Sequence, residues 1–300
     1  MKQGLFDIVS NEHLTENVMK MVLSGDTGAI MVPGQFVNIR LDGYFLRRPI
    51  SVCDCEDGRD GSCGNGIDCG NRSDGEERDR QDSYCGNGSS TGSGSGSAAG
   101  SGSEGSPDGR SPDGKLTIIY KIIGKGTAAM SRMTGGQLDL LTGLGNGYDL
   151  STIGEEPVLI GGGAGVPPMY WLCRKLIASG KKVQVILGFN TAAEVFYEQE
   201  FRDLGARVFV TTADGSYGIR GFVTDALKDL HYSDFCACGP EPMLKAVYAR
   251  TETTGQMSFE ERMGCGFGAC MGCSCRTITG NKRICKDGPV LRKEEILWKD

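Results

Sequence analysis

The chain predicts a mixed architecture: an antiparallel β-barrel, then a parallel α/β sheet domain, then a small cysteine-rich terminus. Three observations carry this. Short apolar strand patterns broken by glycine turns fill the first half, QFVNIRL, ISVCDC and LTIIYKII among them. From Pro157 strands alternate with helices (PVLIGGGAG, MYWLCRKLIASG, KVQVILGF, AAEVFYEQEFRDLG, RVFVTT, GFVTDALKDL, CACGPEPMLKAVYA), as a parallel sheet requires. Past about residue 255 comes MGCGFGACMGCSCR, with four cysteines in eleven residues. The expected domains are 1–152, 153–255 and 256–300, a reasonable division for 300 residues.

Composition narrows the function classes. A formal charge of −6 speaks against a nucleic-acid surface. No apolar run approaches the ~20 residues of a membrane helix, and MKQGLFDIVSNEHLTENV has no basic segment ahead of an apolar one. A cytoplasmic protein with no membrane partner is expected. Thiols stay reduced in that compartment, so thirteen cysteines beside only His13 and His231 point to metal or redox chemistry, not disulfides.

One segment departs from this plan. Residues 59–114 hold fifteen Gly, twelve Ser, one large aliphatic residue (Ile67), and ten acidic side chains against five Arg. Such a stretch cannot bury enough apolar surface to offset its ordering entropy, and STGSGSGSAAGSGSEGS is flexible-linker composition. It separates the strand-like ISVCDCE and KLTIIYK, which Asp57-Gly58 or Asp113-Gly114 alone could join as a tight hairpin. An insertion at a hairpin tip is the reading. Cys63, Cys69 and Cys85 inside it match no metal-ligand spacing and are read as part of a spacer.

Four motifs lie at strand-to-helix junctions or strand starts. Gly161-Gly162-Gly163-Ala164-Gly165-Val166-Pro167-Pro168 follows an apolar strand and opens a helix, where glycines let the backbone approach a dinucleotide. Cys238-Gly239-Pro240-Glu241-Pro242-Met243 is a second such junction, and both would face the crevice at the carboxyl ends of the sheet strands. Arg47-Arg48-Pro49-Ile50-Ser51 offers an arginine fork for a pyrophosphate and a hydroxyl for a flavin edge. In YKIIGKGT, Gly124 and Gly126 with Thr127 as the expected helix cap suit a phosphate. Taken singly, each motif also reads as an ordinary turn or strand entry. Cys173 and Cys236 read as buried thiols.

The cysteines carry the most specific signal. Cys265-x4-Cys270-x2-Cys273-x11-Cys285 has the C-x4-C-x2-C…C spacing of plant-type [2Fe–2S] ligation and leaves Cys275 out. Gly264, Gly266, Gly268 and Gly272 free the backbone to offer amide donors to sulfur. CRTITGNKRIC is expected to be a hairpin turning at Gly280-Asn281, bringing Cys285 back to the other three. Tetrahedral zinc is the rival occupant, although its sites usually pair two short-spaced knuckles.

With RRPIS, YKIIGKGT, GGGAGVPP, DGSYG, CGPEPM and these cysteines in this order, residues 1–58 and 115–297 closely resemble the electron-transfer subunit of type B dihydroorotate dehydrogenase, a branch of the ferredoxin reductase superfamily. The resemblance implies a flavin-binding barrel with FAD on Arg48, Pro49, Ile50, Ser51, Ile119, Tyr120, Lys121, Gly126 and Thr127. It implies a [2Fe–2S] cluster on Cys265, Cys270, Cys273 and Cys285, and NAD near Gly163, Gly165, Cys238 and Gly239. It also implies a partner, the catalytic FMN-containing dihydroorotate dehydrogenase subunit, in a heterotetramer of two of each. No residue of this chain is assigned a catalytic role in dihydroorotate oxidation. The departure is the insertion, which enters the hairpin after RRPIS, where related reductases hold the adenine of FAD. Two alternatives stand beside this reading: a related reductase subunit serving another redox partner, and a zinc-stabilised nucleotide-binding module without redox activity.

GFNTAAE, after the second strand of the α/β domain, offers Asn190 and Thr191 but no Arg or Lys for a 2′-phosphate. NADH should therefore outperform NADPH in a diaphorase assay; equal catalytic efficiencies would refute this.

Overall fold

Alternating apolar positions close the first half of the chain into a barrel. The structure is a computed structural model describing residues 1–56 and 114–298. Its first strands are β1 (Lys2–His13), β2 (Val18–Gly25), β3 (Phe36–Arg40), β4 (Arg48–Glu56) and β5 (Gly114–Lys121); α1 (Lys125–Met130) follows, then β6 (Gln137–Leu144). All six strands pair in the order β1-β2-β5-β4-β3-β6, and β6 closes onto β1 from Lys2↔Thr142 to Asp7↔Gln137. Met21, Leu23, Val37, Ile39, Leu116, Ile118 and Leu140 fill the interior at zero exposure.

The flanks of the expected insertion are neighbouring strands. β4 and β5 run antiparallel, with Val52↔Ile118 near one end of the ladder and Glu56↔Lys115 at the other. Gly114, expected to belong to the insertion, is instead the first residue of β5: it is buried, pairs with Gly25, and a Cβ there would lie 2.4 Å from the Glu56 carbonyl. The rest of the expected insertion, with Cys63, Cys69 and Cys85, lies outside the described residues.

The second half contributes β7 (Val158–Gly162), α2 (Val166–Ala178), β8 (Gln184–Phe189), α3 (Glu198–Asp203), β9 (Arg207–Thr212), β10 (Ile219–Arg220), α4 (Val223–Leu227), β11 (Phe235–Cys238), α5 (Glu241–Arg250) and β12 (Gly255–Ser258). A hairpin of β13 (Ser274–Thr277) and β14 (Gly280–Arg283), a single helical turn α6 (Ile284–Asp287) and β15 (Val290–Arg292) complete the fold. The sheet order is β10-β9-β8-β7-β11-β12-β15, parallel except for the antiparallel β12–β15 pair. The cysteine-rich segment is thus a long excursion between two adjacent sheet strands, anchored at both ends.

The helix expected over AAEVFYEQEFRDLG is broken. One 3-10 turn spans Ala192–Glu194 and α3 begins only at Glu198, because Tyr197 adopts a left-handed φ of 66°. That conformation turns its ring into the core, 5% exposed and edge-on to Tyr170 at 5.2 Å. Among the described residues no helix is long and apolar enough to cross a membrane.

Barrel and sheet meet along β4 and α2. Cys53 joins the core beneath α2, a bulge at Val52–Asp54 keeps Asp54 on that same side while Cys55 returns to the barrel core, and Trp171 of α2 packs into the barrel core. Arg174 of α2 donates to Asp54 Oδ1 at 2.5 Å and to the Cys55 carbonyl at 2.8 Å.

The β4–β5 register sets the design of a deletion. Removing 59–113 leaves Asp57-Gly58 as the turn and keeps Gly114 in β5. This variant should retain the fold and both proposed prosthetic groups, read by circular dichroism and visible absorbance, since Arg48–Ser51 lie at the opposite end of β4. Removing 59–114 should cost stability, because it takes out the buried Gly25 partner.

Candidate redox site

The barrel presents two chain segments at one end of the β4–β5 ladder. Val52 pairs with Ile118, so Arg48–Ser51 and Ile119–Lys121 leave the ladder side by side. Arg48–Ser51 are half-buried where Val52 and Cys53 beyond them are fully buried, giving a shallow strip on which a flat group can lie. The Arg48 guanidinium stacks 4.9 Å from the Tyr44 ring and crosses α1 so closely that a Cβ on Gly126 would sit 2.3 Å from its Nε. The expected phosphate segments RRPIS and GKGT are therefore in contact. Thr127 is not the N-cap, which is Gly124; it lies in the first turn of α1, and its Oγ1 accepts from the Ile123 and Gly124 amides at 3.0 and 3.2 Å. Arg47 is not part of a fork: both its terminal nitrogens are bound to Asp139 at 3.1 Å.

The two glycine junctions of the sheet also touch. A Cβ on Gly165 would lie 2.2 Å from the Cys238 carbonyl and 2.6 Å from the Gly239 nitrogen. Only a glycine allows the start of α2 to approach β11 this closely. Gly163 has φ 51° and open space in front of it. A cavity of about 600 Å³ lies at the carboxyl ends of β7, β8, β9 and β11, lined by Gly163, Phe189, Asn190, Thr211, Phe222 and Met243 among others. Thr211 is fully buried there and its Oγ1 has no partner, so a ligand hydroxyl or amide would satisfy it. A second cleft, about 220 Å³, is lined by Ile119, Tyr120 and Lys121 of the barrel together with Gly163 and Ala164 of the sheet. Lys121 borders both cavities. Cys238 is buried, and that burial, aided by the Glu260 carboxylate, pushes its thiol up to about 12.

The cysteines gather as two pairs. In the loop, Cys265 Sγ accepts from the Ala269 and Cys270 amides at 3.2 and 3.4 Å, and Cys270 Sγ from those of Cys265 and Gly272 at 3.4 and 3.5 Å. The β13–β14 hairpin brings the other pair together, and the Cys285 amide donates to Cys273 Sγ at 3.3 Å. Burial raises the Cys265 thiol, yet amide donors from Cys270, Phe267 and Ala269 outweigh it and hold the group at about 6. Cys285 goes the other way, up to about 12, through burial and its neighbours Cys273 and Cys265. Gly266 and Gly268 take φ of 78° and 91°, the left-handed turns that wrap the loop. Among the described residues no three Cys, His, Asp or Glu side chains already converge on one point. The donor set still fits an iron–sulfur cluster: two pairs of thiols with amides aimed at their sulfurs. The hairpin turns at Ile278-Thr279, with Thr277 paired to Gly280, not at Gly280-Asn281. Cys275 faces Lys282 across that hairpin, half-buried.

Comparison with known proteins agrees with this geometry. Residues 260–297 match the iron-sulfur cluster binding domain of dihydroorotate dehydrogenase B, and residues 159–249 match the oxidoreductase NAD-binding domain. The dihydroorotate dehydrogenase B (NAD(+)) electron transfer subunit of Shouchella clausii is 35% identical over a 310-residue alignment covering 99% of this chain and 98% of the relative. The chain belongs to the family of dihydroorotate dehydrogenase B electron-transfer subunits. The Fusobacterium nucleatum member of that family is 34% identical, covering 96% of both chains. The fold is also that of an NADH-dependent reduced ferredoxin-NADP oxidoreductase chain (TM-score 0.72, 24% identity, 98% of this chain and 90% of that one). A ferredoxin NADP+ reductase from Neisseria gonorrhoeae shares it more distantly (TM-score 0.56, 16% identity, 83% of this chain and 90% of that one).

As an electron-transfer subunit the chain works with a partner subunit. Within its cluster loop, Arg283 escaped the sequence reading: it donates to the Gly268 carbonyl at 3.0 Å and pairs with Asp287, tying the loop to α6. Nothing in the order of residues signals such a contact. For the cysteines the expected outcome is specific. Cys275→Ser should keep the visible spectrum of the cluster, whereas Cys265→Ser, Cys270→Ser, Cys273→Ser and Cys285→Ser should each lose or badly weaken it while flavin absorbance survives. A colourless Cys275→Ser protein beside a normal Cys285→Ser protein would reassign the ligands.

Proposed function

We propose that this subunit receives electrons from a catalytic FMN-containing subunit that oxidises dihydroorotate to orotate, and delivers them to NAD. A [2Fe–2S] cluster on Cys265, Cys270, Cys273 and Cys285 and an FAD on the barrel would be its resident groups. When bound, the flavin converts between the single electrons of a cluster and the hydride of a nicotinamide. Arg48 and Gly126 would hold the pyrophosphate, Pro49 to Ser51 the flat edge of the ring, and Ile119 to Lys121 with Thr127 the remainder. Gly163 and Gly165 would admit the dinucleotide backbone, with Cys238 and Gly239 at its reacting end. One observation carries the reading: a single cleft is lined by Tyr120 and Lys121 of the barrel and by Gly163 and Ala164 of the sheet. Ligands on the two halves would therefore meet without protein between them. Beside Cys270, Phe267 and Met271 are 43% and 53% exposed and give the cluster loop an apolar rim for the partner. The assembly we propose is a heterotetramer of two of each subunit, in the cytoplasm.

Purified protein should be brown, with flavin and cluster absorbance, and anaerobic NADH should bleach the flavin. Alone it should not oxidise dihydroorotate; adding the FMN subunit should couple that oxidation to NAD reduction. A colourless protein containing zinc would defeat the proposal.

A further inference from the structure

The cluster loop is bonded to the barrel through one buried side chain. Asn38 of β3 is 1% exposed and stands in register with Pro49 of β4. Its Nδ2 donates to the carbonyl of Cys265 at 3.2 Å. Gly266, at φ 78°, presses on the same amide so closely that a Cβ would lie 2.2 Å from Nδ2. On the other side, the Asn38 backbone carbonyl accepts from Arg47 Nη1 at 3.1 Å, and that guanidinium is clamped by Asp139. A continuous chain, Asp139 to Arg47 to Asn38 to Cys265, thus joins the start of the flavin strand to a cluster ligand.

The choice of residue type needs explaining. The flanking Val37 and Ile39 are apolar and fully buried, and Asn38 Oδ1 is buried with no partner. An isosteric leucine would avoid that unsatisfied acceptor. The fold alone gives no reason for an amide here, but the contact with Cys265 does. Its N–H draws electron density from the peptide of a sulfur ligand, and it fixes how near the loop comes to β4. Electron transfer slows steeply with separation, and hydrogen bonds around cluster ligands set the potential.

We propose that Asn38 is the positioning residue for electron exchange between the two groups: it holds the cluster loop against the flavin strand and raises the cluster potential through the Cys265 carbonyl. The proposal rests on the placement of flavin and cluster given above. The test uses the full chain with both groups loaded. Asn38→Leu keeps the branched shape and removes the donor, while Asn38→His places Nδ1–H where the amide nitrogen stands. Anaerobic stopped-flow mixing with NADH delivers a hydride, two electrons, to the flavin; one electron passes to the cluster and the other stays behind. Flavin bleaching and cluster reduction are followed at separate wavelengths, and the cluster potential is measured by a titration read by electron paramagnetic resonance.

Hydride delivery should be unchanged in both variants. In Asn38→Leu, cluster reduction should slow by about tenfold, the scale typical of lost outer-shell contacts, and the potential should move negative. Asn38→His should restore both. Asn38→Leu with unaltered transfer rate and potential overturns the proposal. So does Asn38→Leu that assembles no cluster, since the residue would then serve assembly and not transfer. Unaltered protein lacking flavin or cluster would instead refute the functional reading, before any variant is compared.

Discussion

β4 has to serve two cores at once. Its first four residues are half-buried, Val52 lies in the barrel core, and Cys53 lies in the core under α2. Simple alternation from Val52 would send Asp54 inward and Cys55 outward, whereas Cys55 lies in the barrel core and Asp54 meets Arg174 of α2. The bulge at Val52–Asp54 resolves this, and the Arg174–Asp54 pair pins it. That pair is not an obvious source of stability. Burial raises the Asp54 carboxyl above its ordinary 3.8 even though Arg174 pulls the other way. An acid whose folded value is raised favours folding below its unfolded value, and that contribution is lost as pH rises through the folded one. At neutral pH ionised Asp54 is therefore a cost that Arg174 offsets in part. What the pair supplies is register, and with it the approach of sheet to barrel.

The cysteine segment solves a related problem of placement. A loop rich in glycine has high conformational entropy, and only two of its four candidate ligands, Cys273 and Cys285, flank a hairpin. Anchoring both ends in adjacent strands, β12 and β15, limits the loop, while Arg283 and Asn38 fasten it at Gly268 and Cys265. The thiols differ accordingly. Cys265, among amide donors, sits at about 6; Cys285, buried against Cys273, sits at about 12. Metal ligation needs thiolates, so Cys265 is prepared for it and Cys285 must release its proton to bind.

Much of this was legible in the sequence because it is local. The strands QFVNIRL, ISVCDC and RVFVTT show as apolar runs, and the glycine junctions show as strand-to-helix turns. The cysteine spacing could be read because ligand geometry constrains it. What stayed hidden depends on distant residues. Arg47 looked like a phosphate ligand because its partner Asp139 is 92 positions away. Asn38 looked like one more strand residue because its contact lies 227 positions on. Gly114 resembled the linker before it, and only pairing with Gly25 assigns it to β5. The continuous helix over 192–205 failed at Tyr197, where tertiary packing of an aromatic ring outweighed helical propensity. The hairpin turn fell two residues early because Gly280 serves β14 at φ 114° instead of forming the tip.

The same dependence on distant contacts explains the glycines of the crevice. Gly165 is required by the backbone of Cys238, 73 positions away, and not by its own φ, which is an ordinary −84°. Gly162 lies against Met243, whose sulfur would be 2.3 Å from a Cβ there. Side chains at either position would push α2 or α5 away from β7 and β11 and open the joint between the two junctions. Gly163 differs: nothing lies within 4 Å of its would-be Cβ, and its left-handed φ is the local cost of keeping that space clear. Two glycines thus close the sheet's own packing, and the third leaves room on the side where the barrel strand ends at Lys121.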